Sequence, residues 1–178
     1  MNNNNKSDYT EADVPDQKGK TFFITGANTG IGYEAARVLA TRNARVLLGC
    51  RSEEKAKVAM SEIKSIKPDA DVNWIPLDLT SLKSIENAAI IVTEEEHLDA
   101  IINNAGVMVT PKTVTEDGFE LQFGVNHLGH FALTGHLIEK LLENPTSRIV
   151  NVSSLAHRRG KIDYQDIHAR QSYNRMRR

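Results

Sequence analysis

The chain has 178 residues, 40% of them hydrophobic, which suits one domain with a real core and leaves too little for two. Its 22 Lys and Arg nearly balance 23 Asp and Glu, so no overall field draws it to nucleic acid or an anionic membrane surface, and neither partner is expected. The single cysteine, Cys50, excludes an intrachain disulfide and a cysteine-built metal site; no apolar run approaches the roughly 18–20 residues of a membrane span, the start Met1-Asn2-Asn3-Asn4-Asn5-Lys6 has no apolar signal region, and a cytoplasmic protein is the expectation.

Residues 1–18 are polar and aperiodic, contain Pro15, and read as a disordered tail ahead of a single domain over 19–178. Thr21 to Thr25 is a short apolar, β-favouring run that ends in glycines, the pattern of a buried strand. Ile31 to Arg42 places Ile31, Ala35, Val38 and Leu39 at helical spacing, with Asn43 where a left-handed cap belongs. Arg45 to Gly49 is a second buried strand. Ser52 followed by Glu53 and Glu54 starts the next helix, because a hydroxyl cap and first-turn acids complement its free N–H groups. The inward stripe there is Ala56, Ala59, Met60, Ile63 and Ile66, and Pro68 ends the helix. The alternation continues with a strand from Val72 to Leu77, then a helix from Leu82 to Glu94 with Leu82, Ile85, Ala89 and Val92 inward. A strand from Leu98 to Ile102, a long helix from Phe119 to Leu142 and a strand from Arg148 to Val152 complete the series. Strands apolar on both faces that alternate with helices imply an α/β, doubly wound parallel sheet of the Rossmann type.

The stretch Thr25-Gly26-Ala27-Asn28-Thr29-Gly30-Ile31-Gly32 lies between the first strand and the first helix. Glycines there let the backbone turn sharply and approach a pyrophosphate, while the helix N-terminus offers N–H donors and partial positive charge. The spacing is Gly-x-x-x-Gly-x-Gly, not the Gly-x-Gly-x-x-Gly of the commoner dinucleotide fold. It resembles the short-chain dehydrogenase/reductase family. Asn103-Asn104-Ala105-Gly106 after the fourth strand, Asp78-Leu79 after the third, Asn126 in the long helix and Val152-Ser153-Ser154 after the fifth match it in order. More narrowly, Asn126-His127-Leu128-Gly129-His130-Phe131 and Ser153-Ser154-Leu155-Ala156-His157 resemble the retinol-dehydrogenase-like branch.

The resemblance implies a strand order 3-2-1-4-5 and a cofactor site made of Thr25, Gly26, Asn28, Thr29, Gly30, Ile31, Gly32, Arg51, Asp78, Leu79, Asn104, Ala105 and Gly106. NAD-binding members place an acid at the end of the second strand; here Cys50 and Arg51 stand there. An acid would repel a 2′-phosphate, whereas a guanidinium pairs with it, so NADP is favoured over NAD. The competing reading has Arg51 pair with Glu53 or Glu54.

By the same resemblance, Ser154 holds the oxygen of an alcohol, aldehyde or ketone substrate, and Asn126 orders a water in the proton relay. The family's proton carrier is a tyrosine whose high pKa is lowered by a lysine four residues on. That pair is not present: Tyr164 is followed four later by His168, and Tyr173 by Arg177. The expectation is therefore an incomplete five-stranded domain truncated ahead of its Tyr-x-x-x-Lys, with the apolar fifth strand (Ile149, Val150, Val152) as an unprotected edge. The alternative is a catalytically silent nucleotide-binding or interaction protein. His127 and His130 sit three apart on a helix, but no further ligand is spaced to join them, and no metal is expected. His157 to Lys161 and Arg175 to Arg178 read as solvated basic segments. Pairing into a homo-oligomer stays open.

Overall fold

A computed structural model describes residues 9–175. Strands β1 (Thr21–Thr25), β2 (Arg45–Cys50), β3 (Asp71–Pro76), β4 (Ala100–Asn103) and β5 (Arg148–Asn151) form one all-parallel sheet in the order β3-β2-β1-β4-β5. Helices α1 (Gly30–Thr41), α2 (Glu53–Ile66) and α3 (Leu82–Thr93) connect the first four strands. A helical run of α4 (Leu121–Phe123), a π segment (Gly124–Gly129) and α5 (His130–Leu142) leads into β5. The doubly wound architecture and its strand order are as the sequence implied.

The sheet divides the core into two layers. Phe23, Leu47, Ile75 and Ile101 face one side and pack with Ile85, Ala89 and Val92 of α3 and Leu133, Leu137 and Leu141 of α5. Ile24, Val46, Leu48 and Val72 face the other and meet Ala36 and Ala40 of α1 and Ala59 and Ile63 of α2. Neighbours such as Phe23 and Ile24 point to opposite faces, as the two-residue period of a strand requires. The caps also hold: Ser52 Oγ accepts from Lys55 N, and Asn43 adopts φ 71° after α1.

The inward face of α1 differs from expectation. Ile31 is 74% exposed, and the buried residues are Gly32, Ala36 and Ala40. A helix that packs this tightly on a sheet needs small residues at the contact, so the i, i+4 stripe of Gly and Ala wins over the bulkier apolar one. Ile66 and Leu82, the last residue of α2 and the first of α3, are likewise exposed. Residues 9–18, expected as part of a disordered tail, carry structure of their own. Within them a short 3-10 helix (Glu11–Asp13) docks on α1: Arg37 pairs with the Glu11 carboxylate and Arg42 donates to the Glu11 and Ala12 carbonyls. Gln17 N donates to Arg42 O, and Asn43 Nδ2 to Asp16. Residues 1–8 of the expected tail, and 176–178 of the basic end, lie outside the described residues.

At the other margin, all four residues of β5 are exposed, and within the described residues β5 pairs with β4 alone. The sheet is therefore strongly held at its centre and weakly at this edge. Ile101→Ala, at a fully buried position facing α3 and α5, is expected to cost about 3 kcal/mol in chemical denaturation. Val150→Thr on β5 is expected to change stability by less than about 0.5 kcal/mol.

Candidate functional site

The carboxyl ends of the strands open into one cleft, centred where the order reverses between β1 and β4. Ligands bind at such a switch point because connections there diverge to opposite faces and leave a crevice. On the β2–β3 side a groove of about 510 Å³ is lined by Gly26, Asn28, Thr29, Arg51, Asp78, Leu79, Asn104, Ala105 and Gly106, together with Gly49, Cys50, Leu77 and Thr80. On the β4–β5 side a second hollow of about 760 Å³ shares Asn104 to Val107 with the first and is bordered by Asn126, His130, Ser153 and Ser154. Residues from turns up to 128 positions apart in sequence, Gly26 to Ser154, thus share one crevice.

The turn after β1 is shaped by close approach. Gly26 has φ +68°, and a Cβ there would lie 3.0 Å from Ala105 Cα. A Cβ on Gly32 would come within 2.5 Å of Gly26 O and closer still to the Asn104 amide, so neither position tolerates a side chain without movement of backbone. Gly30 and Ile31 are exposed at the start of α1, Gly32 and Thr25 are buried, and none of the four is among the residues lining the groove. Asn104 is pinned by its own amide, which donates to Thr25 O, while Thr25 Oγ1 accepts from the N–H groups of Asn104 and Ala105, each at 2.9 Å.

Helix α1 begins with neither a capping side chain nor an acid in its first turn. By contrast, α2 is capped by Ser52 and followed by Glu53 and Glu54, and α3 is capped by Ser81. The N–H groups at the start of α1 therefore remain available to an anion at the groove, with the helix dipole adding to the attraction. Arg51 lines the groove and has no hydrogen bond or ion pair within the described residues. The competing pairing with Glu53 is not formed; that carboxylate binds Lys57 at 2.7 Å. The geometry fits a dinucleotide diphosphate, with a cation free at the end of β2. Asp78 lines the same groove, and its Oδ1 accepts from Thr80 N and Oγ1, which shapes the turn into α3.

Asn126 and Ser154 come together at the second hollow. The Asn126 side chain clamps Val107: Oδ1 accepts from Val107 N and Nδ2 donates to Val107 O, both at 2.8 Å. Its main-chain carbonyl, set in the π segment, lies 3.1 Å from His130 Nδ1. Ser154 Oγ accepts from Ala156 N, which leaves its own proton to donate into the hollow. Neither downstream tyrosine lines the cleft. Tyr164 is exposed, and the Tyr173 hydroxyl donates to Thr110 O while accepting from Gln122 Nε2. His127 stacks on Phe123 and Phe131, and His130 bridges to Thr25, so each histidine has a packing or hydrogen-bonding role.

The model of the family described as short chain dehydrogenase matches residues 20–165. The chain belongs to the short-chain dehydrogenase family. It is retinol-dehydrogenase-like: it is 53% identical over 159 residues to human (Homo sapiens) retinol dehydrogenase 13, which covers 89% of this chain and 47% of the relative. To human retinol dehydrogenase 11 it is 51% identical over 157 residues, covering 88% of this chain and 49% of the relative. The chain thus spans about half the length of the curated relatives it matches. Among solved structures, an uncharacterised protein from Mycobacterium paratuberculosis superposes with a TM-score of 0.82 at 40% identity, over 94% of this chain and 58% of that one. The Pseudomonas aeruginosa RhlG/NADP active-site complex superposes with a TM-score of 0.66 at 27% identity, over 79% of this chain and 56% of that one.

Several site residues were not singled out from the sequence: Gly49, Leu77 and Thr80 on the groove wall, and Val107, which Asn126 holds. A signal existed for the wall residues, since they directly follow or end strands at the carboxyl edge. Val107 carried none. Its clamp is testable without any ligand. Asn126→Ala removes two hydrogen bonds and should lower stability by about 1–3 kcal/mol while speeding hydrogen exchange at the Val107 amide above the global rate.

Proposed function

We propose that this chain carries the NADP(H)-binding half of an oxidoreductase that moves hydride between that cofactor and an alcohol, aldehyde or ketone. The observation that carries the reading is Arg51: an unpaired guanidinium on the groove lip, at the strand end where an acid would select NAD. The backbone around Gly26 to Gly32 and the open N-terminus of α1 would receive the diphosphate, and Arg51 the 2′-phosphate. Asp78 and Leu79 would border the adenine, and Asn104 to Gly106 the ribose toward the second hollow. The bound cofactor supplies the hydride or accepts it.

The chain's own residues do the positioning. Ser154, with its oxygen held by Ala156 N, donates its proton to the substrate oxygen and so polarises the carbon–oxygen bond. Asn126 holds the Val107 backbone at the junction of the two hollows and fixes the width of the passage between them. Proton transfer by the family's route requires a tyrosine with a lysine four residues later, and no such pair follows Ser154 in these residues. In this reading that pair is supplied beyond them, and the hydride step belongs to the longer protein. The buried single thiol Cys50 supports a reducing location such as the cytoplasm. No helix of the described residues is long and apolar enough to cross a membrane.

Calorimetric titration checks the cofactor. NADP+ is expected to bind at least tenfold more tightly than NAD+. Arg51→Ala should weaken NADP+ by about 10–100-fold, corresponding to ~1.5–3 kcal/mol for a charge-assisted contact, and leave NAD+ unchanged. Equal affinity for the two cofactors would overturn the assignment to Arg51. Oxidation of NADPH by aldehydes is expected only in a form extended through Tyr-x-x-x-Lys; turnover by these residues alone that Tyr173→Phe abolishes would contradict the division drawn above.

A further inference from the structure

Beneath the crevice, His130 joins the two halves of the site. It is 5% exposed, its Nε2 lies 2.8 Å from Thr25 Oγ1, and its Nδ1 lies 3.1 Å from the main-chain oxygen of Asn126. Hydrogen positions at a histidine follow from what its partners can offer, and here they are restrictive. A hydroxyl oxygen has two lone pairs and one proton. Thr25 Oγ1 already accepts from Asn104 N and Ala105 N, which uses both lone pairs. Its proton must therefore be donated. The Ile102 carbonyl, at 3.5 Å, is too distant for a good O–H···O bond, and the remaining acceptor is His130 Nε2. With Nε2 accepting, the ring proton sits on Nδ1 and is donated to the Asn126 carbonyl, an oxygen that can only accept.

We infer that His130 is a neutral, Nδ1-protonated positioning residue that ties Thr25, and with it the turn at Asn104 and Ala105, to the π segment that carries Asn126. The consequence rests on the reading of the cleft as a cofactor site. The chain of bonds runs from the end of β1 through the imidazole to Asn126, and from the Asn126 side chain to Val107, so one ring sets the spacing between the floor of the first groove and the wall of the second. An imidazolium cannot do this, because a proton on Nε2 would face the Thr25 hydroxyl proton with no free lone pair to receive it. On balance the surroundings of the ring favour its neutral form. Burial pushes its pKa below the ordinary histidine value, and His127 adds to this when charged, while the Asn126 carbonyl opposes them; Thr25 and the β4 turn present no titratable group. The sign follows. The unfolded chain takes up a proton near the ordinary value of about 6.5, and the folded one only at lower pH. The contribution to stability is complete above that value and is lost progressively as pH falls from it toward the folded pKa.

The test has one arm that needs no cofactor and one that does. Long-range 15N–1H spectra of the full chain should show His130 as the Nδ1–H tautomer at neutral pH, titrating below the ordinary histidine range. Thr25→Val should disturb that tautomer signature. An Nε2–H tautomer, or a charged ring at neutral pH, overturns the inference. In the second arm, His130→Phe, which fills the space but neither accepts nor donates, should weaken NADP+ binding about tenfold. His130→Gln, whose side-chain oxygen can accept from Thr25, should recover part of that loss. The wild type should lose further affinity at acid pH as His130 takes up its proton, and His130→Phe should not; comparing the two cancels titration of the cofactor's own phosphate. Unchanged binding in His130→Phe sinks the positioning role. If the wild type binds no NADP+ at all, the reading of the groove fails, and the tautomer alone decides the inference.

Discussion

The constraint on which this molecule depends is the contact between the turn after β1 and the end of β4. The connections that follow two adjacent parallel strands diverge there to opposite faces of the sheet, and the crevice between them survives only if the backbones touch below it. Thr25 makes that contact. Its hydroxyl receives two amide protons from Asn104 and Ala105, and its carbonyl receives the Asn104 side chain. With these groups buried, every donor there needs a partner, and each unmade bond would cost about 1–3 kcal/mol. Gly26 and Gly32 follow from the same contact, because the approach it enforces leaves no room for a Cβ at either position.

The π segment is the second consequence. An ordinary helical turn hides its carbonyls within the helix, whereas a π turn displaces them and commonly marks a functional position. Here it spans Gly124–Gly129 and presents the Asn126 carbonyl to His130, while the Asn126 side chain reaches back to Val107. Close packing permits it: a Cβ at Gly124 would lie 2.4 Å from Thr115, and one at Gly129 would lie 2.9 Å from the Leu79 carbonyl. The groove-forming turn at Leu79 and the helix carrying Asn126 are thereby pressed together. Further along, Gln122 links this region to the chain beyond β5, since its oxygen accepts from Val109 N while its nitrogen donates to Tyr173.

Much of this was legible before any fold was known. Short apolar, β-favouring runs placed the strands and helical spacing the main helices, and Ser52 and Asn43 marked ends that formed as expected. The glycine-rich turn and Asn103-Asn104-Ala105-Gly106 fell where a crevice was expected. The buried face of α1 was misjudged because a pattern of apolar residues rewards size, and the contact rewarded smallness: Gly32, Ala36 and Ala40 turned inward and Ile31 outward. The order of the segment around Glu11 was hidden for a related reason. Its docking relies on ion pairs and carbonyl contacts to Arg37 and Arg42, which leave no apolar periodicity to read.

The sequence by itself determined the alternation of strands and helices, the parallel sheet and the glycine-rich turn at the carboxyl end of β1, since these are set by local spacing and by backbone conformations few residues can adopt. Only the tertiary structure decided which partners Asn126, His130 and Arg51 meet. Each depends on which groups distant segments bring together: the Asn126 amide clamps Val107, the His130 ring meets Thr25, and the Arg51 guanidinium has no partner among the described residues while Glu53 pairs with Lys57. Hydrogen-bond capacity is allotted across the whole fold, and no single stretch of residues contains that allotment.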